Sequence, residues 1–346
     1  MRRLVGPLLL ALVALLAVPA SAGGTATAGH REHGTFSAPG LVPRAYALYV
    51  PSDVAAKPHK KVPLLVYLHG CNQNADDVAV GTRLEQLAEE KGLLVLFPQQ
   101  TRPQGSTYPA ADGNGSGCWN WFLPDHQARG AGEPATLAAM TRDVMGRFAV
   151  DDRRVWLAGA SAGADMTTIL GATYPDLYAA IAPIAGCAYR TCSDGTGTAA
   201  HAAMGSRARA VPTLVVQGSA DMVNNAAMGA TAVRQWVATN DLADDGAANG
   251  SVPQQPSAVT SHDAVQGTAP GDPCVGNSRL PCLGGALGLK SYPYTVAEFG
   301  PTVTALVISG ANHAYTGGDP RGTFVDPVGP DLAHAMYDFF AAHPFR

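Results

Sequence analysis

Short, dense apolar runs recur along the chain, separated by longer stretches of mixed pattern. Residues 62–68 (Val-Pro-Leu-Leu-Val-Tyr-Leu) and 93–97 (Leu-Leu-Val-Leu-Phe) carry no charge at all. A continuous run of that length suits a strand buried on both faces of a parallel sheet. Similar runs at 46–50, 154–158, 179–184, 212–217 and 302–308 predict further strands. The segments between them have a helical period. In 80–91, Leu84, Leu87 and Ala88 fall on one face with charged residues opposite, and Gly92 ends the segment. Residues 136–148, 162–174 and 331–342 read as helices as well. Strands that alternate with helices in this way predict an α/β fold, with a mostly parallel central sheet flanked by helices.

Two stretches interrupt the rhythm. Residues 101–134 are rich in Gly, Pro, Asn and aromatics and hold Trp119 and Trp121; a loop that long inside a compact domain is usually functional. Residues 243–290 are rich in Gly, Pro, Ser and Asp, and are expected to form an insertion or lid. Residues 23–34 are small and polar and predict a flexible segment. Before them, Arg2-Arg3, the apolar run from Leu4 to Val18 and Ala20-Ser21-Ala22 have the layout of a secretory signal peptide, residues 1–22. Residues 23–346 then form a single catalytic domain, with no internal repeat and no linker.

Composition narrows the function. Of 346 residues, 47% are hydrophobic and 14% charged, and the formal net charge is -4. No basic stripe is present, so nucleic acid is not an expected partner. The leader reading implies a secreted, extracellular protein, with no membrane contact once the leader is cleaved, and one that can keep disulfides. The six cysteines allow many pairings, among which sequence does not choose. Cys187 and Cys192, and Cys274 and Cys282, are neighbours in sequence, which leaves Cys71 and Cys118. The spacings fit no zinc pattern, so structural bridges are expected rather than a metal site.

The chemistry centres on Gly159-Ala160-Ser161-Ala162-Gly163, which follows one predicted strand and opens a predicted helix. A sharp strand-to-helix turn of this form exposes the serine hydroxyl above the sheet. Serine is a weak nucleophile and needs a base and an orienting acid, which in α/β-hydrolases follow in the order Ser, Asp or Glu, His. His313, just past the run 302–308, is the expected base. His334 lies inside the closing helix and His126 in the aromatic loop, and both are weaker candidates. Asp221, after the run 212–217 and a short turn, is the expected acid. The oxyanion would be held by two backbone N–H groups, that of Ala162 and that of Cys71 in His69-Gly70-Cys71. His69 itself reads as a structural residue. At least one of Trp119 and Trp121 is expected to line the cleft. No cofactor is expected.

With these residues in place, the sequence resembles extracellular poly(3-hydroxybutyrate) depolymerases and their related esterases. The resembling segments are Leu68-His69-Gly70-Cys71, Gly117-Cys118-Trp119-Asn120-Trp121-Phe122, Gln127-Ala128-Arg129-Gly130 with Gly132-Glu133-Pro134, Gly159 to Gly163, Tyr174-Pro175-Asp176, and His313-Ala314-Tyr315-Thr316-Gly317-Gly318. The resemblance implies an α/β-hydrolase fold and hydrolysis of a 3-hydroxyalkanoate polyester. It supports Ser161, Asp221 and His313 as a triad, and suggests that Trp119, its neighbour Trp121 and Tyr315 contact substrate. Tyr315 stands where the family often has tryptophan. A related esterase acting on feruloyl or acetyl groups, or on another polyester, is the alternative. A non-catalytic binding protein on this scaffold would be expected to lack a triad member, and all three are present. The protein is expected to act as a monomer on a polyester or small ester.

Overall fold

The computed structural model describes residues 28–103, 109–110, 113–266 and 291–345. The N-terminal half begins with strands β1 (His30–Phe36) and β2 (Arg44–Val50), helix α1 (Ser52–Ala56) and β3 (Val62–Leu68). Helices α2 (Ala75–Gly81) and α3 (Leu84–Lys91) follow, then β4 (Leu94–Pro98), a short hairpin of β5 (Pro109–Ala110) and β6 (Gly113–Asn114), and α4 (Gly132–Arg147). The second half runs β7 (Val150–Ala160), α5 (Ala162–Thr173), β8 (Ala180–Ile184), α6 (Thr198–Met204), β9 (Thr213–Gly218) and α7 (Ala226–Asp245). It ends with β10 (Ala258–Gln266), β11 (Ser291–Phe299), β12 (Val303–Ile308), β13 (Tyr315–Thr316), β14 (Val325–Asp326) and α8 (Leu332–Ala342).

Ten of these strands form one sheet in the order β1-β2-β4-β3-β7-β8-β9-β12-β11-β10. The run from β4 to β12 is parallel, and both outer pairs are antiparallel. The uniformly apolar strands are the central ones because both of their faces are covered. On β3, Leu64, Val66 and Leu68 enter one core layer while Leu65 and Tyr67 enter the other; on β4, Leu94 and Leu96 separate from Val95 and Phe97 in the same way. This is the period-two alternation of a pleated strand. Helices α4, α5 and α7 lie over the first layer, and α2, α3 and α8 over the second. Every residue of α5 is buried, which accounts for its composition of Ala, Gly, Thr and few large side chains.

The sheet order places the site. β3 pairs with β4 on one side and β7 on the other, so the chain changes direction across the sheet between them. Crevices beyond the carboxyl ends of strands at such a switch are where open α/β sheets bind ligands. β3 ends at Leu68 and β7 at Ala160, directly before the His69-Gly70-Cys71 loop and Ser161.

Several expectations change. The segment 80–91 is two helices, broken where Arg83 takes φ 58°. Residues 30–34 are part of an edge strand. The stretch 243–290 is not simply an insertion or lid. α7 continues to Asp245, and 258–266 pairs with β11 to extend the main sheet. β10 was obscured because it has only one neighbour; its sequence, Ala-Val-Thr-Ser-His-Asp-Ala-Val-Gln, mixes polar residues into a strand that reaches solvent. Residues 1–22, Cys274 and Cys282 lie outside the described residues. Among the described residues, no helix is long and apolar enough to cross a membrane.

Candidate active site

Ser161 sits at φ 55°, ψ -125° between β7 and α5. A non-glycine residue held in that region is strained. The turn is kept tight by its flanking glycines. A Cβ on Gly163 would stand 2.1 Å from the Leu68 carbonyl oxygen, and one on Gly159 2.5 Å from that of Gly163. The Ser161 N–H donates to the Ile184 carbonyl (3.0 Å), and its own carbonyl accepts from Ala164 and Asp165. Ala162 opens α5, where the first N–H groups have no intrahelical acceptor and the helix dipole favours negative charge.

Asp221 and His313 arrive from the turns after β9 and β12. His313 Nδ1 lies 2.8 Å from Asp221 Oδ2. The Asp221 side chain is fully buried and the His313 side chain is 14% exposed. Asp221 Oδ1 accepts from the N–H groups of Val223 (2.8 Å) and Asn224 (2.9 Å), and Oδ2 also receives Gln217 Nε2 at 3.4 Å. With the carboxylate as acceptor, Nδ1 carries the ring proton and Nε2 is left with a free lone pair. His313, Ser161, Cys71 and Tyr315 line one cavity. His334 and His126 do not line it. His334 instead bonds Asp331 and Glu90 at the surface.

The loop that carries Cys71 is braced from beneath. The His69 ring is buried; Nδ1 donates to the Gly70 carbonyl (2.8 Å) and Nε2 accepts from the Gln100 N–H (3.1 Å). Burial pushes this imidazole down to about 4, so it is neutral and structural. The Gly70 N–H donates to Gln73 Oε1 (2.9 Å), and Gln73 Nε2 bridges Asp77 and the Thr323 carbonyl. A Cβ on Gly70 would lie 3.2 Å from Ser161 Cβ, so the loop approaches Ser161 closely. A disulfide joins Cys71 to Cys118, and another joins Cys187 to Cys192.

The tryptophans depart from expectation. Trp119 is fully buried, its ring 5.3 Å from that of His69 and its Nε1–H donating to the His69 carbonyl at 3.0 Å. It is a pillar beneath the loop, out of reach of substrate. Trp121 is half-buried, packed on the core and edge-on to exposed Phe122 at 5.8 Å. Of Trp119, Trp121 and Tyr315, only Tyr315 lines the cavity. Trp119→Ala is therefore expected to cost about 3–5 kcal/mol of folding stability, and Trp121→Ala about 1 kcal/mol. Urea unfolding of the two variants checks this; equal losses would contradict the assignment.

Sequence reasoning gave no role to a second set of residues. Glu133 is buried and accepts from the Asn120 N–H (2.7 Å), Asn120 Nδ2 (3.1 Å), Gln100 Nε2 and Arg44. It ties the aromatic loop to β2 and to the segment just after β4. A glutamate between a glycine and a proline at a helix start was the only signal for it. Asn224 is the other case: its N–H holds Asp221, while its Nδ2 donates to the Ala185 carbonyl at 2.6 Å.

A family model described as Esterase PHB depolymerase matches residues 44–250, more than half of the chain. A poly(3-hydroxyalkanoate) depolymerase C of Paucimonas lemoignei is 36% identical over 148 residues, which is 43% of this chain and 32% of that protein. A feruloyl esterase B of Neurospora crassa is 32% identical over 152 residues, 44% of this chain and 46% of that one. A probable acetylxylan esterase A of Aspergillus fumigatus is 30% identical over 164 residues, 46% of this chain and 40% of that one. The chain thus spans less than half the length of these three relatives. Among solved structures, an acetyl xylan esterase from Aspergillus awamori matches with a TM-score of 0.62 at 16% identity, covering 90% of this chain and 99% of that chain. That is a likeness of fold, and the fold is the α/β-hydrolase one.

Proposed function

The chain belongs to the Esterase PHB depolymerase family, and from that membership and the site's geometry we propose that it is a secreted serine hydrolase cleaving esters of the poly(3-hydroxybutyrate) type. The observation that carries the reading is the cavity shared by Ser161, His313 and Cys71, with His313 held by Asp221 at 2.8 Å. In the proposed reaction His313 Nε2 removes the Ser161 proton as Oγ attacks the ester carbonyl. The oxyanion is received by the N–H groups of Ala162 and Cys71. The protonated His313 then gives its proton to the leaving alcohol. Water, activated by the same imidazole, releases the acid from the acyl-enzyme. No cofactor takes part. The two disulfides support an oxidising, extracellular setting. Residues 23–346 act as one catalytic domain and as a monomer.

The polyester reading is supported by the family match and by the Paucimonas lemoignei depolymerase. The alternative substrates, feruloyl and acetyl esters, rest on the names of the Neurospora and Aspergillus relatives. The test is a panel of emulsified poly(3-hydroxybutyrate), methyl ferulate and acetylated xylan. Clearing of the polymer is expected, with feruloyl release at least about tenfold slower than hydrolysis of a butyryl ester, since an acyl group that misfits its pocket loses about 1–3 kcal/mol. Strong feruloyl release without clearing would overturn the polyester reading.

A further inference from the structure

Asp165 is a buried acid that the proposed reaction does not use. It lies in the first turn of α5, and its N–H donates to the Ser161 carbonyl at 3.0 Å. Its side chain is buried, and Oδ1 accepts the Cys187 N–H at 2.6 Å. That contact fixes the turn after β8. In the same turn Ala185 takes φ 51° and lines the cavity, and its carbonyl receives Asn224, which in turn holds Asp221. The Cys187–Cys192 disulfide closes the segment. Asp165 therefore sits between the nucleophile helix and the support of the acid.

Among the described residues, no charge answers it. α5 packs on β3, β7, β8, α4 and α6. β3 and β8 carry no ionisable group except Tyr67. β7 carries Asp151, Asp152, Arg153 and Arg154; α4 carries Glu133, Arg142, Asp143 and Arg147; α6 carries His201. Arg190 and Asp194 lie beyond Cys187, and Asp221 and His313 at the site. None of these pairs with Asp165: burial pushes its carboxyl up to about 7, opposed only by the Cys187 amide. The neutral acid can accept the Cys187 N–H through its carbonyl oxygen as the carboxylate does, so the contact does not require a charge.

We propose that Asp165 is a positioning residue that holds the Cys187 turn against the nucleophile helix, and that its ionisation slows the reaction above neutral pH. This rests on the Ser161 reading. As the neutral acid, Asp165 holds the Cys187 turn without adding charge near the oxyanion. As the carboxylate, it releases its proton to solvent and leaves an unpaired negative charge one helical turn from the Ala162 N–H, opposing the charge that develops there.

Asp165→Asn keeps an acceptor for Cys187 and cannot ionise. The readout is the ratio of kcat/KM, variant over wild type, on p-nitrophenyl butyrate; the ratio cancels the contribution of His313. It is expected to stay near one at about pH 6 and to rise to about fivefold by pH 9, the size expected of one unpaired charge near the oxyanion in a largely screened site. A ratio that does not change with pH overturns the proposal. Wild type alone supplies a second readout that needs no folded variant. Its infrared spectrum should hold a protonated carboxyl C=O band that is lost between about pH 6 and pH 8, and absence of that band also overturns the proposal. Loss of the Ser161 reading is seen separately, as ester hydrolysis that survives Ser161→Ala at every pH.

Discussion

Ser161→Ala is expected to lower kcat/KM on p-nitrophenyl butyrate by about 10⁵–10⁶-fold, leaving only the residual rate that an oxyanion site and binding supply without a nucleophile. The size follows from the proposed mechanism: His313 and Asp221 would activate one hydroxyl, and without it their geometry would have nothing to act on. Folding should hardly change. Ser161 makes its structural bonds through its backbone, to Ile184, Ala164 and Asp165, and alanine keeps them. Ser161→Gly separates strain from chemistry. It should be equally inactive yet more stable than Ser161→Ala by about 1–2 kcal/mol, because glycine adopts φ 55°, ψ -125° without the Cβ penalty. Thermal unfolding of the two variants reads that difference. If they melt together, the elbow is not strained; if Ser161→Ala retains more than about a hundredth of wild-type activity, another nucleophile does the work.

The part of this site that was legible in the sequence is the part in which one local pattern fixes one position. Gly159 to Gly163 after an apolar strand gives an elbow because the close approach of Leu68 and Gly163 backbone atoms excludes side chains. β3 and β4 were legible because burial on both faces leaves no polar position to confuse them. Asp221 and His313 could be chosen because each follows a buried strand in the chain order that α/β-hydrolases use. What was not legible depends on direction and on distant partners. Nothing in the residue type tells whether Trp119 points at substrate or beneath the loop; the His69 carbonyl and the core decide it. Glu133, a surface residue by type, is buried because Asn120, Gln100 and Arg44 converge on it from three separate segments. The break between α2 and α3 falls at an arginine with φ 58°, a conformation usually announced by glycine. β10 lies at a sheet edge, where one neighbour and open solvent weaken the apolar pattern that identified the central strands.

The second large effect concerns a residue that never meets substrate. Asp221→Asn is expected to lower kcat on a p-nitrophenyl ester by about 10³–10⁴-fold with KM changed by less than about threefold. Asparagine fits the same space, and its Oδ1 can still accept the Val223 and Asn224 N–H groups that hold Asp221. Those two donors fix which way the amide turns, so its NH₂ faces His313. A donor there cannot accept from Nδ1–H. The imidazole must present a bare Nδ1, moving its proton to Nε2, the atom that should take the proton from Ser161. The base is lost by tautomer, while the cavity is left intact because Asp221 does not line it. The loss of the carboxylate's stabilisation of the imidazolium adds to the effect. Asp221→Ala provides the control. It removes both the wrong donor and the right acceptor, leaves the ring free to take either tautomer, and should retain activity equal to or above that of Asp221→Asn despite the larger structural change. An Asp221→Asn enzyme within tenfold of wild type would mean that another carboxylate orients His313, and the pair at 2.8 Å would then be structural.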